Sequence, residues 1–156
     1  MKAVDRVAFA LGTWFGFGLS PIAPGTCGAI GAIPLHFLFA RWSLPLHALA
    51  IGVLSLVGIW ASHRVATVTG EKDPQIVVID EVAGVLIAMA AVREFGTWPL
   101  VLAFLLFRAF DITKPGPIRK AEHLPPVGFG VMADDLLAGV VAALVARGAV
   151  MISASL

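Results

Sequence analysis

Five of the ten acidic residues in this 156-residue chain fall in three places: Asp80-Glu81, Asp111 and Asp134-Asp135. Each lies in or beside an apolar run, "QIVVIDEVAGVLIAMAAV", "LLFRAFDITKPGPIRK" and "GVMADDLLAG". Charge is scarce elsewhere, at 13% of residues against 59% hydrophobic, about half the charge of an ordinary soluble domain. Carboxylates gathered in water-poor surroundings repel one another unless a cation or a proton joins them. Oxygen donors without a histidine or cysteine set favour Mg²⁺, which binds through a few carboxylates plus substrate phosphate. The candidate metal ligands are Asp80, Glu81, Asp134 and Asp135. Arg108, Lys114, Arg119 and Lys120 crowd the turn made by Pro115 and Pro117. Arginine offers a planar fork for phosphate oxygens and lysine a point charge. Two plainer readings stand beside these: the acids pair with Arg108 and Lys114 as a structural network, and Arg119 and Lys120 set topology and touch lipid headgroups. Asp111 has three open roles, as ligand, as base or as cap to the proline turn.

Neighbours on a helix point about 100° apart, so neither acidic pair forms a clamp by itself. Each pair is expected to send one carboxylate inward and to leave the second for a supporting or shared role. Small residues follow one turn later: Gly84 after Asp80, Gly139 after Asp135, Ala138 after Asp134. Small residues at this spacing let two helices approach closely, which would bring the two acidic pairs together.

The elements that must position these groups are helices in a membrane. A mean hydropathy of +0.94 is more apolar surface than a soluble fold of this size hides. The expected fold is all-α, a multi-pass membrane helical bundle of about five transmembrane or re-entrant segments forming one domain over residues 1–156. A bilayer core needs about 20 apolar residues in helical form. The expected spans are 44–61, 136–155, 84–92 lengthened upstream by 76–79, 98–107 extended to 110, and, weakest, 27–40. Residues 7–19 read as an interfacial or re-entrant element. With five spans, eight lysines and arginines fall on one side (Lys2, Arg6, Arg64, Lys72, Arg108, Lys114, Arg119, Lys120) and three on the other (Arg41, Arg93, Arg147). The richer side should be cytoplasmic, and every polar cluster falls on it. A net charge of +1 without a basic tail argues against a nucleic-acid partner. Cys27 excludes an internal disulfide and reads as packing. His36 and His47 lack a second ligand one turn on, so both read as core residues. Oligomeric state is left open.

Four blocks in order resemble the bacterial phosphatidylglycerophosphatase A family: "GFGLSPIAPGTCGAIGAIPL", "DPQIVVIDEVAG", "LFRAFDITKPGPI" and "GFGVMADDLLAG". The resemblance implies an Mg²⁺-dependent lipid phosphatase of the bacterial cytoplasmic (inner) membrane. Its phospholipid substrate would be phosphatidylglycerophosphate, hydrolysed to phosphatidylglycerol and inorganic phosphate at the cytoplasmic face. The family's acidic positions fall on Asp80, Glu81, Asp111, Asp134 and Asp135, its basic ones on Arg108 and Lys114, and its Pro-Gly-Thr hydroxyl on Thr26. In the mechanism this implies, Asp80, Glu81, Asp134 and Asp135 hold magnesium while Arg108, Lys114 and Thr26 bind the phosphate. Arg108 and Lys114 also stabilise the developing charge, and Asp111 orients water or leaving group, with nucleophilic attack by Asp111 as the variant. The chain departs from the family where Glu122-His123 stands in place of an Asp-Arg pair, which removes one expected phosphate contact.

Competing activities leave different marks. The Asp-Gly-x-x-Ala-Arg signature of phosphatidyl transferases is absent, as are the motifs of aspartyl phosphatases and of lipid phosphatases with a histidine nucleophile. A divalent-cation carrier, or another non-enzymatic membrane protein, is the alternative, because acids within membranes also mark ion pathways. A carrier would hold its carboxylates near the midplane, whereas these sit at one edge.

Overall fold

The computed structural model describes residues 2–155 and contains helices and turns, with no strand among the described residues. The helices are α1 (Ala3–Gly12), α2 (Pro24–Gly31), α3 (Ile33–Phe39), α4 (Leu44–Thr69), α5 (Ile79–Ala90), α6 (Thr97–Thr113), α7 (Pro117–Ala121) and α8 (Val127–Ala154), with a 3₁₀ turn at Phe17–Leu19. Proline marks the first turn of α2, α3, α4 and α7, where its missing N–H costs nothing and its fixed φ suits the helix. Gly70 closes α4 in the left-handed region, its N–H donating to the Ala66 carbonyl at 2.9 Å, as a helix stop requires. Lys114 ends α6 at φ 42°, and Pro115 forbids continuation.

α5 is the axis of the protein. Nine of its twelve residues are buried, and α2, α4, α6 and α8 pack around it. Val82, Val85, Leu86 and Met89 form one core with Leu100, Phe107, Ala138 and Ala142. The expected upstream extension of this segment reaches Ile79, taking in Asp80 and Glu81, but stops short of residues 76–78. Val78 donates its N–H to the Gly12 carbonyl at 2.8 Å, tying residues 74–78 to the end of α1 in a non-helical path after Pro74. Asp80 and Glu81 therefore stand in the first turn of α5, where the helix dipole favours negative charge.

Two helices, α4 and α8, are long and apolar enough to cross a bilayer. They expose Leu49, Val53, Leu56 and Leu144 to the outside. The other expected spans form helices, though none as long as α4 or α8. α5 and α6 have 12 and 17 residues, so they measure about 18 and 25 Å. The 27–40 segment breaks at Ala32 ahead of Pro34 into α2 and α3. At one end of the bundle Arg64 bonds Asp5 at 2.7 Å, linking α4 to α1. At the other, Arg93 donates to the Trp42 carbonyl at 3.0 Å and Arg147 to that of Ala91 at 2.8 Å. His36 and His47 are buried.

Candidate active site

α5 and α8 meet backbone to backbone. A Cβ on Gly84 would strike the Phe107 ring and the Asp135 carbonyl, and one on Gly139 would overlap the Gly84 carbonyl oxygen. No side chain larger than hydrogen fits this crossing. One turn before each glycine stand the acids, as the spacing predicts. Asp80, Glu81 and Asp135 each bring a carboxylate oxygen within 4.8 Å of the others. Asp80 also accepts the Glu81 N–H at 3.1 Å. The carboxylate oxygens of the cleft are not all used: Glu81 Oε2, Asp134 Oδ1 and Asp135 Oδ2 are buried without a hydrogen-bond partner. Buried carboxylate oxygens left so are costly, and a hard divalent cation satisfies an all-oxygen set of this kind. The donor set fits a metal ion.

Asp134 takes a different part. The step between neighbours that turns Asp135 toward α5 turns Asp134 toward the end of α6. There Asp134 Oδ2 accepts from Lys114 Nζ at 2.6 Å, and Glu122 Oε2 accepts from the same ammonium at 3.1 Å. Of the four expected metal ligands, three come together and the fourth pairs with a cation. Burial works against the Lys114 charge, but the hydrogen bonds and charges of Asp134 and Glu122 outweigh it, and the pKa lies above the ordinary lysine value. Lys114 is a fixed positive charge.

α6 supplies the opposite wall. Arg108 donates a short hydrogen bond to Asp111 one turn on and lies 4.0 Å from Glu81, while its Nε is buried and free of any partner. The first turn of α2 closes in from the other side, since a Cβ on Gly25 would overlap Glu81 Oε1 and stand 3.2 Å from Arg108 Nη2. The cleft between these walls holds about 400 Å³, and Asp80, Glu81, Arg108, Asp111, Lys114, Asp134 and Asp135 all line it. Thr26 does not. Pro24 and Gly25 form that part of the rim, and Arg119 and Lys120 are exposed on α7. The residues that sequence reasoning passed over are Asp73 and Gln75 on the rim, and Glu122 as a partner of Lys114. Asp73 opens the "DPQIVVIDE" block, so its place there was the available signal.

Acids from α5 and α8 stand across one cleft from an arginine and a lysine, groups suited to phosphate oxygens, and the family comparison gives the class as a phosphatase. The chain belongs to the phosphatidylglycerophosphatase A family, whose model, Phosphatidylglycerophosphatase A, matches residues 10–150. It is similar to Phosphatidylglycerophosphatase A of Escherichia coli (37% identical; 85% of this chain, 77% of the relative) and of Haemophilus influenzae (35%; 86% and 83%). It is also 44% identical, over 90% of this chain and 91% of the relative, to a Bacteroides thetaiotaomicron protein provisionally named phosphatidylinositol-3-phosphatase. No solved structure gives a significant match.

Proposed function

We propose that this protein hydrolyses phosphatidylglycerophosphate to phosphatidylglycerol and inorganic phosphate, using Mg²⁺, at the cytoplasmic face of a bacterial inner membrane in which it is embedded as a single multi-pass unit. One observation carries the reading: Asp80, Glu81 and Asp135 bring carboxylate oxygens together in the cleft, Glu81 and Asp135 each with one buried oxygen left unpartnered, and the same cleft holds the free Nε of Arg108. When bound there, Mg²⁺ supplies charge neutralisation at the phosphoryl oxygens and a more acidic water. Asp80, Glu81 and Asp135 hold the cation. Asp111 keeps the Arg108 fork aimed inward, which makes it a positioning residue. Arg108 takes phosphoryl oxygens, and Lys114, held by Asp134 and Glu122, balances charge on the departing glycerol oxygen.

The outward leucines and valines of α4 and α8 support a lipid surround. The excess of lysine and arginine at the cleft end supports a cytoplasmic site. The name of the Bacteroides relative puts a phosphoinositide beside phosphatidylglycerophosphate among the lipids to try. The test is phosphate release by the purified protein from phosphatidylglycerophosphate, phosphatidic acid and phosphatidylinositol 3-phosphate, each with Mg²⁺ and with EDTA. Turnover of the first lipid, lost with chelator, is expected. Equal rates with and without chelator would overturn the metal role, and a preference for another lipid would overturn the headgroup.

A further inference from the structure

Below the cleft, the same two walls diverge. α2 and α3 pack against α5, and α6 packs against α5 and α8. An open seam remains between the α2–α3 pair and α6. It holds a groove of about 260 Å³ with almost purely apolar walls: Ile30, Ile33 and Phe37 on one side, Leu100, Val101 and Phe104 on the other, with Met89 of α5 also lining it. Ile30, Phe37 and Val101 are exposed, so the groove opens sideways rather than into the core.

Its position relative to the polar site follows from helix geometry. Ile30 is five residues past Gly25 on α2, and Phe104 is four residues before Arg108 on α6. At 1.5 Å per residue both walls enter the groove about 6–8 Å below the phosphate-binding level. Thr97, where the groove ends on α6, is about 16 Å below Arg108. A bilayer's hydrocarbon core is about 30 Å thick, so the far end of the groove lies about one leaflet below the phosphate-binding level. A second groove, lined by His47, Ile51, Ile87 and Leu136, lies between α4, α5 and α8, which pack on one another.

We propose that the α2–α3/α6 seam is the lateral doorway by which a lipid substrate reaches the cleft, and that the groove seats one of its acyl chains. The inference rests on the lipid-phosphatase reading and adds a path and a chain-binding surface to it. A chain leaving bulk lipid for this groove exchanges one apolar setting for another, so the gain is positional. It fixes the headgroup at the height where its terminal phosphate meets Arg108.

The test uses the full-length protein in phosphatidylcholine vesicles with a non-hydrolysable phosphonate analogue of phosphatidylglycerophosphate carrying a diazirine on one acyl chain. Irradiation should label peptides covering residues 30–37 and 97–104. Excess unlabelled phosphonate should remove at least nine-tenths of that label, while the same excess of phosphatidylcholine should leave it. Labelling elsewhere, no labelling, or equal competition by phosphatidylcholine would overturn the proposal, the last marking the groove as a seat for bulk lipid. Independently, Val101→Trp, which fills the groove at an exposed position, should lower the ratio of kcat/KM for dioleoyl over dibutanoyl substrate at least tenfold. Leu144→Trp on the outer face of α8 should leave that ratio in place. An unchanged ratio in Val101→Trp would count against the doorway. Hydrolysis of dibutanoyl substrate by the unmodified protein reports on the phosphatase reading alone, so failure there is distinct from failure of the groove.

Discussion

Replacing Gly139 by alanine puts one methyl group into the α5–α8 crossing. The new carbon would lie 3.0 Å from both the Cα and the carbonyl carbon of Gly84 and would overlap its oxygen. Carbon and oxygen rest at about 3.3–3.6 Å, well beyond the distance left to that oxygen, so the helices must part by about 1 Å. Overpacking of this kind costs about 1–3 kcal/mol, within the stability of an ordinary domain, and the protein should still fold. The site is less tolerant. Asp135 and Asp80 each sit one turn from the crossing, and the separation passes directly to their carboxylates. A small hard cation demands near-ideal geometry, and about 1 Å of misplacement costs about 100-fold in rate. Gly139→Ala should therefore lose about 100-fold in kcat/KM, require more Mg²⁺ for half-maximal rate, and melt only modestly lower. The assay is phosphate release from phosphatidylglycerophosphate in mixed micelles across a Mg²⁺ titration, beside a thermal melt. Gly148→Ala, whose added carbon meets nothing within 4 Å, is the control with full activity. Wild-type turnover and unaltered Mg²⁺ demand in Gly139→Ala would refute the idea that this contact sets the spacing of the acids.

The two adjacent aspartates should separate by assay. Asp135→Asn should lose both activity and the rise in melting temperature on adding Mg²⁺, whereas Asp134→Asn should lose activity but keep that rise; identical behaviour would show that Asp134 is a ligand after all. The raised pKa of Lys114 means its ion pairs contribute fully below the ordinary lysine value of 10.5 and fade only as pH climbs through the folded value. Lys114→Met should then lower the melting temperature by the same amount at pH 6.5 and pH 8.5, and a difference between the two would contradict that sign. Gly25→Ala drives a carbon into Glu81 and Arg108, and its turnover should fall at least tenfold with the melting temperature nearly unchanged.

The convergence of the acids was legible in the sequence because it depends on local rules. Gly84 and Gly139 each follow an aspartate by one turn, and that spacing alone predicts which faces touch. The division of labour within Asp134-Asp135 was half legible: adjacent residues must point apart, but only the path of α6 decides that Asp134 meets Lys114. Helix lengths were less readable. The apolar run 76–92 looks continuous, yet Val78 bonds Gly12 from a different part of the chain, and no local pattern encodes that partner. The break at Ala32 was available in Pro34, whose effect is local. Thr26 illustrates the reverse error, since it follows Gly25 directly and still falls outside the cleft that Gly25 lines.

The acid cluster joins Asp80 and Glu81 to Asp135, and the basic groups of the cleft, Arg108 and Lys114, lie between them in the chain. During synthesis, a polypeptide that has placed α5 and α6 already displays Arg108 but has no third carboxylate and no Gly139 against which to seat α5. On the proposed mechanism such a half-made chain would be catalytically silent, and assembly of α8 against α5 would itself act as the on-switch.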